Sequence, residues 1–229
     1  MIANWFAENW DQLWAYTLAH IGLSIPPIIL GFLLSVPLGW LANRYRVSRG
    51  ILLTLGGILY AIPSLPLFVA LPKIIGTKIL DPLNVEIALT LYALALMLRT
   101  TADGLNAVDG DVKLSATAVG YGAWRRFFGV ELPLAGPVIL AGLRVVSVST
   151  VSLVTVGSVI GVNTLGFYFL DGYQRDFPFE VWVGIIGTLL IAVTFDIVLV
   201  IAGRLLLPWS RQRAPRRAAR RAAMEAVSA

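Results

Sequence analysis

Four predominantly apolar stretches, at about residues 18–41, 51–71, 137–161 and 181–207, are each long enough to cross a bilayer as a helix. A hydrocarbon core of about 30 Å needs about 20 helical residues. A fifth stretch, about 85–108, is strongly apolar only from Val85 to Leu98 and then meets Arg99, Asp103 and Asp109. Such a helix must be shielded by protein or emerge early into water. Backbone in lipid has to satisfy its own hydrogen bonds, so the predicted fold is all-α, a polytopic membrane protein with five transmembrane helices. Composition excludes a water-soluble domain, with 58% of residues hydrophobic and only 14% charged.

Five spans put the termini on opposite sides, and the positive-inside rule selects the orientation. With the C-terminus cytoplasmic, 15 of the 18 basic residues lie at or near the inner face, leaving Lys73, Lys78 and Arg175 outside. The N-terminus is therefore expected outside. Trp14 and Trp182 then fall at outer ends and Trp40 and Trp209 at inner ends, where interfacial rings prefer to sit. Residues 1–17, with Trp5, Trp10 and Trp14, read as a separate short helix lying on the outer surface. They contain Glu8 and Asp11 but no Lys or Arg, so they lack a signal peptide's basic start and the first apolar segment is expected to be retained.

The net charge of +5 is concentrated at one end. Six arginines (Arg211, Arg213, Arg216, Arg217, Arg220, Arg221) and Glu225 occupy residues 211–229, and the preceding chain is neutral, with 12 basic and 12 acidic residues. Basicity of this form reads as an inner-face membrane tail, not as a nucleic-acid surface. The organisation is then an extracytoplasmic segment over 1–17, a transmembrane domain over 18–208 and a basic tail over 209–229. A long cytoplasmic loop, 109–136, interrupts the transmembrane domain.

The absence of cysteine and the single histidine, His20, exclude a thiolate or histidine-cluster metal site. No Gly-x-x-x-x-Gly-Lys-Ser/Thr run exists, so the chain cannot cradle nucleotide phosphates by the P-loop route. No catalytic residue, metal or cofactor is assigned to it.

The most informative stretch is LSATAVGYGAWRRFFGVELPLAGPVILAGLR, Leu114 to Arg144. Small residues lead to Gly120 and Gly122, followed by an aromatic and basic run and then Val130-Glu131-Leu132-Pro133. Two short helices joined by a glycine turn would place Tyr121 and Trp124 at an exposed elbow, a shape suited to a partner's groove.

This spacing resembles the EAA loop of binding-protein-dependent ABC transporter permeases, Glu-Ala-Ala, three residues, Gly, nine residues, Ile-x-Leu-Pro. Ser115 and Ala116 stand at the alanines, Gly120 at the glycine, Val130 at the isoleucine and Leu132-Pro133 at the Leu-Pro, with Leu114 where the family usually has Glu. Ile62-Pro63-Ser64-Leu65, Glu131-Leu132-Pro133-Leu134 and Gly172-Tyr-Gln-Arg-Asp176 are similar to segments of the osmoprotectant (glycine betaine, carnitine, choline) permeases. The resemblance implies the five-span MetI-like permease fold in the inner membrane of a prokaryote. It also implies ATPase coupling through Leu114, Ser115, Ala116, Gly120, Tyr121, Gly122, Trp124, Val130, Leu132 and Pro133. The partners it implies are a cytosolic ABC ATPase carrying ATP and Mg, a second permease copy or paralogue, and an extracytoplasmic substrate-binding protein. Leu114 favours a heteromeric pair, since one degenerate loop is tolerated beside an intact one. Uptake of an amino acid such as methionine is the alternative within transport. From another class comes a non-transporting scaffold that docks a cytosolic protein.

Pathway features remain open at this level. Pro63 and Pro66 interrupt the second span near Tyr60 and Ser64, forming a gate or a packing kink. Ser147, Thr155 and Ser158 fall within about 80° on a continuous α-helix, either lining a pathway or permitting close packing. Tyr60, Phe68 and Tyr92 offer rings to a quaternary ammonium in transit. Asp196 sits mid-span, where a carboxylate needs a partner. Arg144 is at a compatible depth, so a structural ion pair is expected ahead of a proton relay.

Overall fold

A computed structural model describes residues 2–210. Among the described residues nine α-helices follow one another: α1 (Ile2–Arg44), α2 (Arg46–Ala61), α3 (Ser64–Ile75), α4 (Pro82–Asn106), α5 (Gly110–Ala118), α6 (Ala123–Arg126), α7 (Leu132–Val154), α8 (Phe167–Gln174) and α9 (Pro178–Leu206). A π-turn over Phe127–Glu131 joins α6 to α7, and a 3₁₀ segment over Thr155–Ile160 follows α7. No strand occurs among the described residues. The arginines of 211–229, read above as an inner-face tail, lie outside the described residues.

Among the described residues four helical stretches, Asn4–Arg44, Pro82–Asn106, Ala123–Ile160 and Pro178–Leu206, are long and apolar enough to span a membrane. The α2–α3 pair makes a fifth if counted as one broken span. α4 lies at the centre and packs on α1, α7, α2 and α3. Its start is set by Asp81, whose Oδ1 accepts from the Leu83 N–H at 3.0 Å, and by Pro82 at the first helical position. Neither choice leaves an N–H orphaned there. One apolar core gathers Phe68, Val85, Leu89 and Val154, and a second gathers Met97, Leu105, Phe127 and Val146.

Close helix approach comes from glycine. A Cβ at Gly31 would lie 2.5 Å from the Ala93 Cβ, and one at Gly142 would lie 2.3 Å from Thr100 Cγ2. In lipid, backbone proximity of this kind replaces the hydrophobic drive between helices.

Three sequence expectations are corrected. Residues 1–17 are not a separate surface helix, because α1 runs unbroken from Ile2 through Pro26, Pro27 and Pro37 to Arg44. Trp5 is buried against Phe6, Tyr168 and Phe179. The 51–71 stretch is two helices bent by 103°. The residue before a proline is pushed out of the helical region, and Ile62 (φ −66°, ψ 127°) and Pro63 (φ −63°, ψ 140°) are both extended. The 137–161 stretch is α-helical only to Val154, where 3₁₀ geometry takes over.

Candidate functional site

The segment expected to couple to a partner is built from α5, α6, the π-turn and the first turn of α7. Asp109 caps α5 by accepting from the Asp111 N–H at 2.8 Å, and Lys113 Nζ donates to the Leu105 carbonyl, fixing α5 to the end of α4. α5 stops in a left-handed closure. The Tyr121 N–H donates to Ala116 O and the Gly120 N–H to Thr117 O, both at 3.0 Å. Gly120 has φ +88°, a conformation that glycine adopts without steric cost. Gly122 then precedes α6, and its carbonyl accepts from the Arg126 N–H.

The result is a helix–turn–helix elbow with an apolar outer surface. Leu114, Val119, Trp124 and Phe128 are 69%, 75%, 64% and 58% exposed, whereas Ala116 is buried beneath them. Trp124 stacks on Trp40 of α1, centroids 5.1 Å apart and planes at 20°, and also on Phe128. Beneath the elbow, Arg126 Nε donates to the buried Glu131 Oε1 at 2.6 Å and its Nη1 donates to Thr117 Oγ1 at 2.9 Å. One guanidinium thereby ties α5, α6 and the π-turn together. This clamp was missed in the sequence, although Glu131 stands inside the quoted Val130–Pro133 run. Val130 is half-buried, and Leu132 and Pro133 open α7, where the Pro133 carbonyl accepts from Trp209 Nε1.

A sequence profile for the family described as "Binding-protein-dependent transport system inner membrane component" matches residues 2–212, which takes in the elbow and every spanning helix. The chain belongs to this family. The permease is 30% identical over 212 residues to the choline transport system permease protein OpuBB of Bacillus subtilis (strain 168), with 93% of this chain and 96% of that one covered. It is 28% identical over 196 residues to the osmoprotectant import permease protein OsmW of Salmonella typhimurium (strain LT2), covering 84% of this chain and 91% of that one. Among solved structures, the inward-facing MetNI methionine ABC transporter aligns at a TM-score of 0.68 and 20% identity, covering 87% of this chain and 96% of that one. An amino acid ABC transporter aligns at 0.70 and 16%. These two likenesses establish the fold. The permease is accordingly a multi-pass inner-membrane transport subunit, not itself catalytic.

The pathway candidates are only partly brought together. Tyr60 ends α2, Pro63 precedes α3 and Ser64 begins it. Tyr92 of α4 meets this break, its hydroxyl donating to the freed Ile62 carbonyl at 2.5 Å while its ring lies edge-on to Tyr60, 6.0 Å away. Phe68 is fully buried in the core. The hydroxyl residues of the expected stripe fall on two helix types, Ser147 on α7 and Thr155 and Ser158 on the 3₁₀ segment that follows it. Ser147 is buried at the α7 surface without a partner for its Oγ. Thr155 donates back to Ser152 O, and Ser158 donates to the Val162 carbonyl at 3.2 Å.

Besides the Arg126–Glu131 clamp, charged side chains pair elsewhere among the described residues. Arg144 of α7 and Asp196 of α9 form a bidentate pair, Nε to Oδ1 at 2.6 Å and Nη2 to Oδ2 at 2.8 Å. Arg49 joins α2 to Asp103 of α4 at 2.7 Å. At the opposite end from the elbow, buried Glu180 accepts from Trp5 Nε1 at 2.8 Å and from Arg175, which also pairs with Asp171. The hydrogen bond to Glu180, more than the one to Asp171, holds the Arg175 guanidinium above its ordinary pKa. The Trp5 contact bridges 175 positions and leaves no local signal in sequence.

Proposed function

We propose that this permease imports a small osmoprotectant of the glycine betaine, carnitine or choline type. Transport is driven by ATP and Mg on a separate cytosolic ATPase that docks at the 114–133 elbow. The observation that carries the coupling reading is the elbow itself: four exposed apolar side chains on a turn held rigid by Gly120 closure and by the Arg126–Glu131–Thr117 clamp. Apolar surface of this kind on a rigid turn fits a partner groove. The solute class follows from relatives such as the choline and osmoprotectant permeases that match across most of the chain.

In this reading the elbow and the end of α9 face the cytoplasm and Ile2 lies outside, as the distribution of Lys and Arg favours. An extracytoplasmic binding protein delivers the solute, and a second permease copy or a paralogue completes the pathway around the α2–α3 break with Tyr60, Pro63 and Ser64. Leu114 in place of the usual Glu supports a paralogous partner, with the internal clamp supplying rigidity to the elbow.

Reconstitution in proteoliposomes with the ATPase and binding protein tests this. ATP-dependent uptake of labelled glycine betaine, carnitine or choline, but not methionine, is the expected result. ATPase coupling without uptake of any of the three overturns the solute class. Neither coupling nor flux overturns the transport reading in favour of a scaffold.

A further inference from the structure

We propose that the cavity between α2 and α4 is a transit subsite for a zwitterionic quaternary ammonium, with Arg99 receiving the carboxylate and Tyr60 the cationic end. The proposal rests on the osmoprotectant reading above and adds a named recognition site to it. The cavity measures about 210 Å³ and is lined by Leu53, Gly56, Gly57 and Tyr60 of α2 and by Ala95, Leu96, Arg99 and Thr100 of α4.

Arg99 is the decisive residue. It lies seven positions before the end of α4, about 10 Å along the helix, and it is exposed. It forms no ion pair or hydrogen bond among the described residues, whereas Arg49, Arg126 and Arg144 all have carboxylate partners. Asp103, one turn further on, is engaged by Arg49 from α2. A guanidinium within a spanning helix is costly unless it faces water or an anion, and its planar fork suits a carboxylate.

The rest of the cavity fits the other half of such a solute. Tyr60 lines the wall with its ring half-exposed and held edge-on against Tyr92, and an aromatic ring attracts a quaternary ammonium. On the α2 side, Gly57 has open space where a side chain would project. The two charges of a betaine thus meet groups of opposite character in one enclosure. Choline, which has a hydroxyl in place of the carboxylate, uses only the Tyr60 end.

The test is uptake of labelled glycine betaine and of choline by proteoliposomes holding the complete transporter. R99Q is expected to raise the KM for glycine betaine roughly 10- to 100-fold, the value of a charge-assisted pair, while leaving choline within about twofold. R99K, which keeps the charge but not the fork, is expected to recover part of the loss. Y60L is expected to weaken uptake of both solutes, and Y60F, which keeps the ring, to recover part of that loss. G57L, which leaves Arg99 untouched, fills the cavity and lowers uptake of both without loss of assembly. It serves as the deciding variant should R99Q fail to assemble, unchanged uptake then overturning the subsite. Equal effects of R99Q on both solutes, or none on either, overturn it as well. A wild-type transporter that imports neither solute removes the osmoprotectant reading itself, a result distinguishable from any variant phenotype.

Discussion

Trp124 at the elbow and Trp40 near the end of α1 are stacked, centroids 5.1 Å apart and planes 20° from parallel. The contact joins the proposed docking surface directly to the longest helix in the protein. Trp124→Ala removes both the stack and exposed apolar area, and an aromatic pair contributes about 0.5–1.5 kcal/mol beyond its burial. ATPase stimulation by solute-loaded binding protein is expected to fall several-fold in Trp124→Ala. In Trp40→Ala, which leaves the exposed surface intact, the ATPase should still bind but transmit less. Co-purification and ATP turnover measured together separate the two effects.

Gly120→Ala is expected to weaken ATPase binding by roughly 5- to 30-fold, because a Cβ in the left-handed region costs about 1–2 kcal/mol. The comparison is Gly122→Ala, where φ is −66° and nothing lies within 4 Å of the added atom. That variant should bind almost normally. Equal binding by both, measured by titration of the purified ATPase, would show that the turn does not need its closure.

The Arg144–Asp196 pair links α7 to α9 at two oxygen atoms. Asp196→Asn and Arg144→Gln are each expected to lower the melting temperature of the detergent-solubilised permease by a few degrees, and the double variant by less than the two losses combined. Thermal unfolding of the four proteins closes the cycle. Strict additivity would mean the two side chains contribute independently.

Much of the fold was legible because apolar run length reports directly on the bilayer, and the all-helical membrane class and the family follow from runs and elbow spacing. Interruptions were harder to read. Pro63 and Pro66 announce a break, but hydropathy stays high across it, so neither the 103° bend nor the role of Tyr92 has a one-dimensional signal. The change of helix type at Thr155 is likewise silent, because a run of apolar and hydroxyl residues reads the same in α and 3₁₀ geometry. Trp5 looked like a surface anchor because its buried partner, Glu180, comes from the far end of the chain.

Tyr92→Phe keeps the ring and removes the bond to Ile62 O, an interaction of about 0.6–2 kcal/mol in a membrane interior. Amide hydrogen exchange near Ile62 and Ser64 is expected to quicken by up to roughly 30-fold, with the rest of α4 unaffected. Unchanged exchange at the break would show that packing alone holds it.

The α2–α3 break also bears on how the protein is made. α3 has 12 residues, about 18 Å of helix, well short of the roughly 30 Å hydrocarbon core. As the nascent chain leaves the ribosome, α3 therefore has no free-standing transmembrane position of its own. Its two exposed backbone ends become tolerable in lipid once α4 arrives and Tyr92 takes up the Ile62 carbonyl. Stable integration of α2 and α3 is therefore expected to depend on α4, and a chain truncated between Gly76 and Tyr92 is expected to integrate less completely than one that extends through α4.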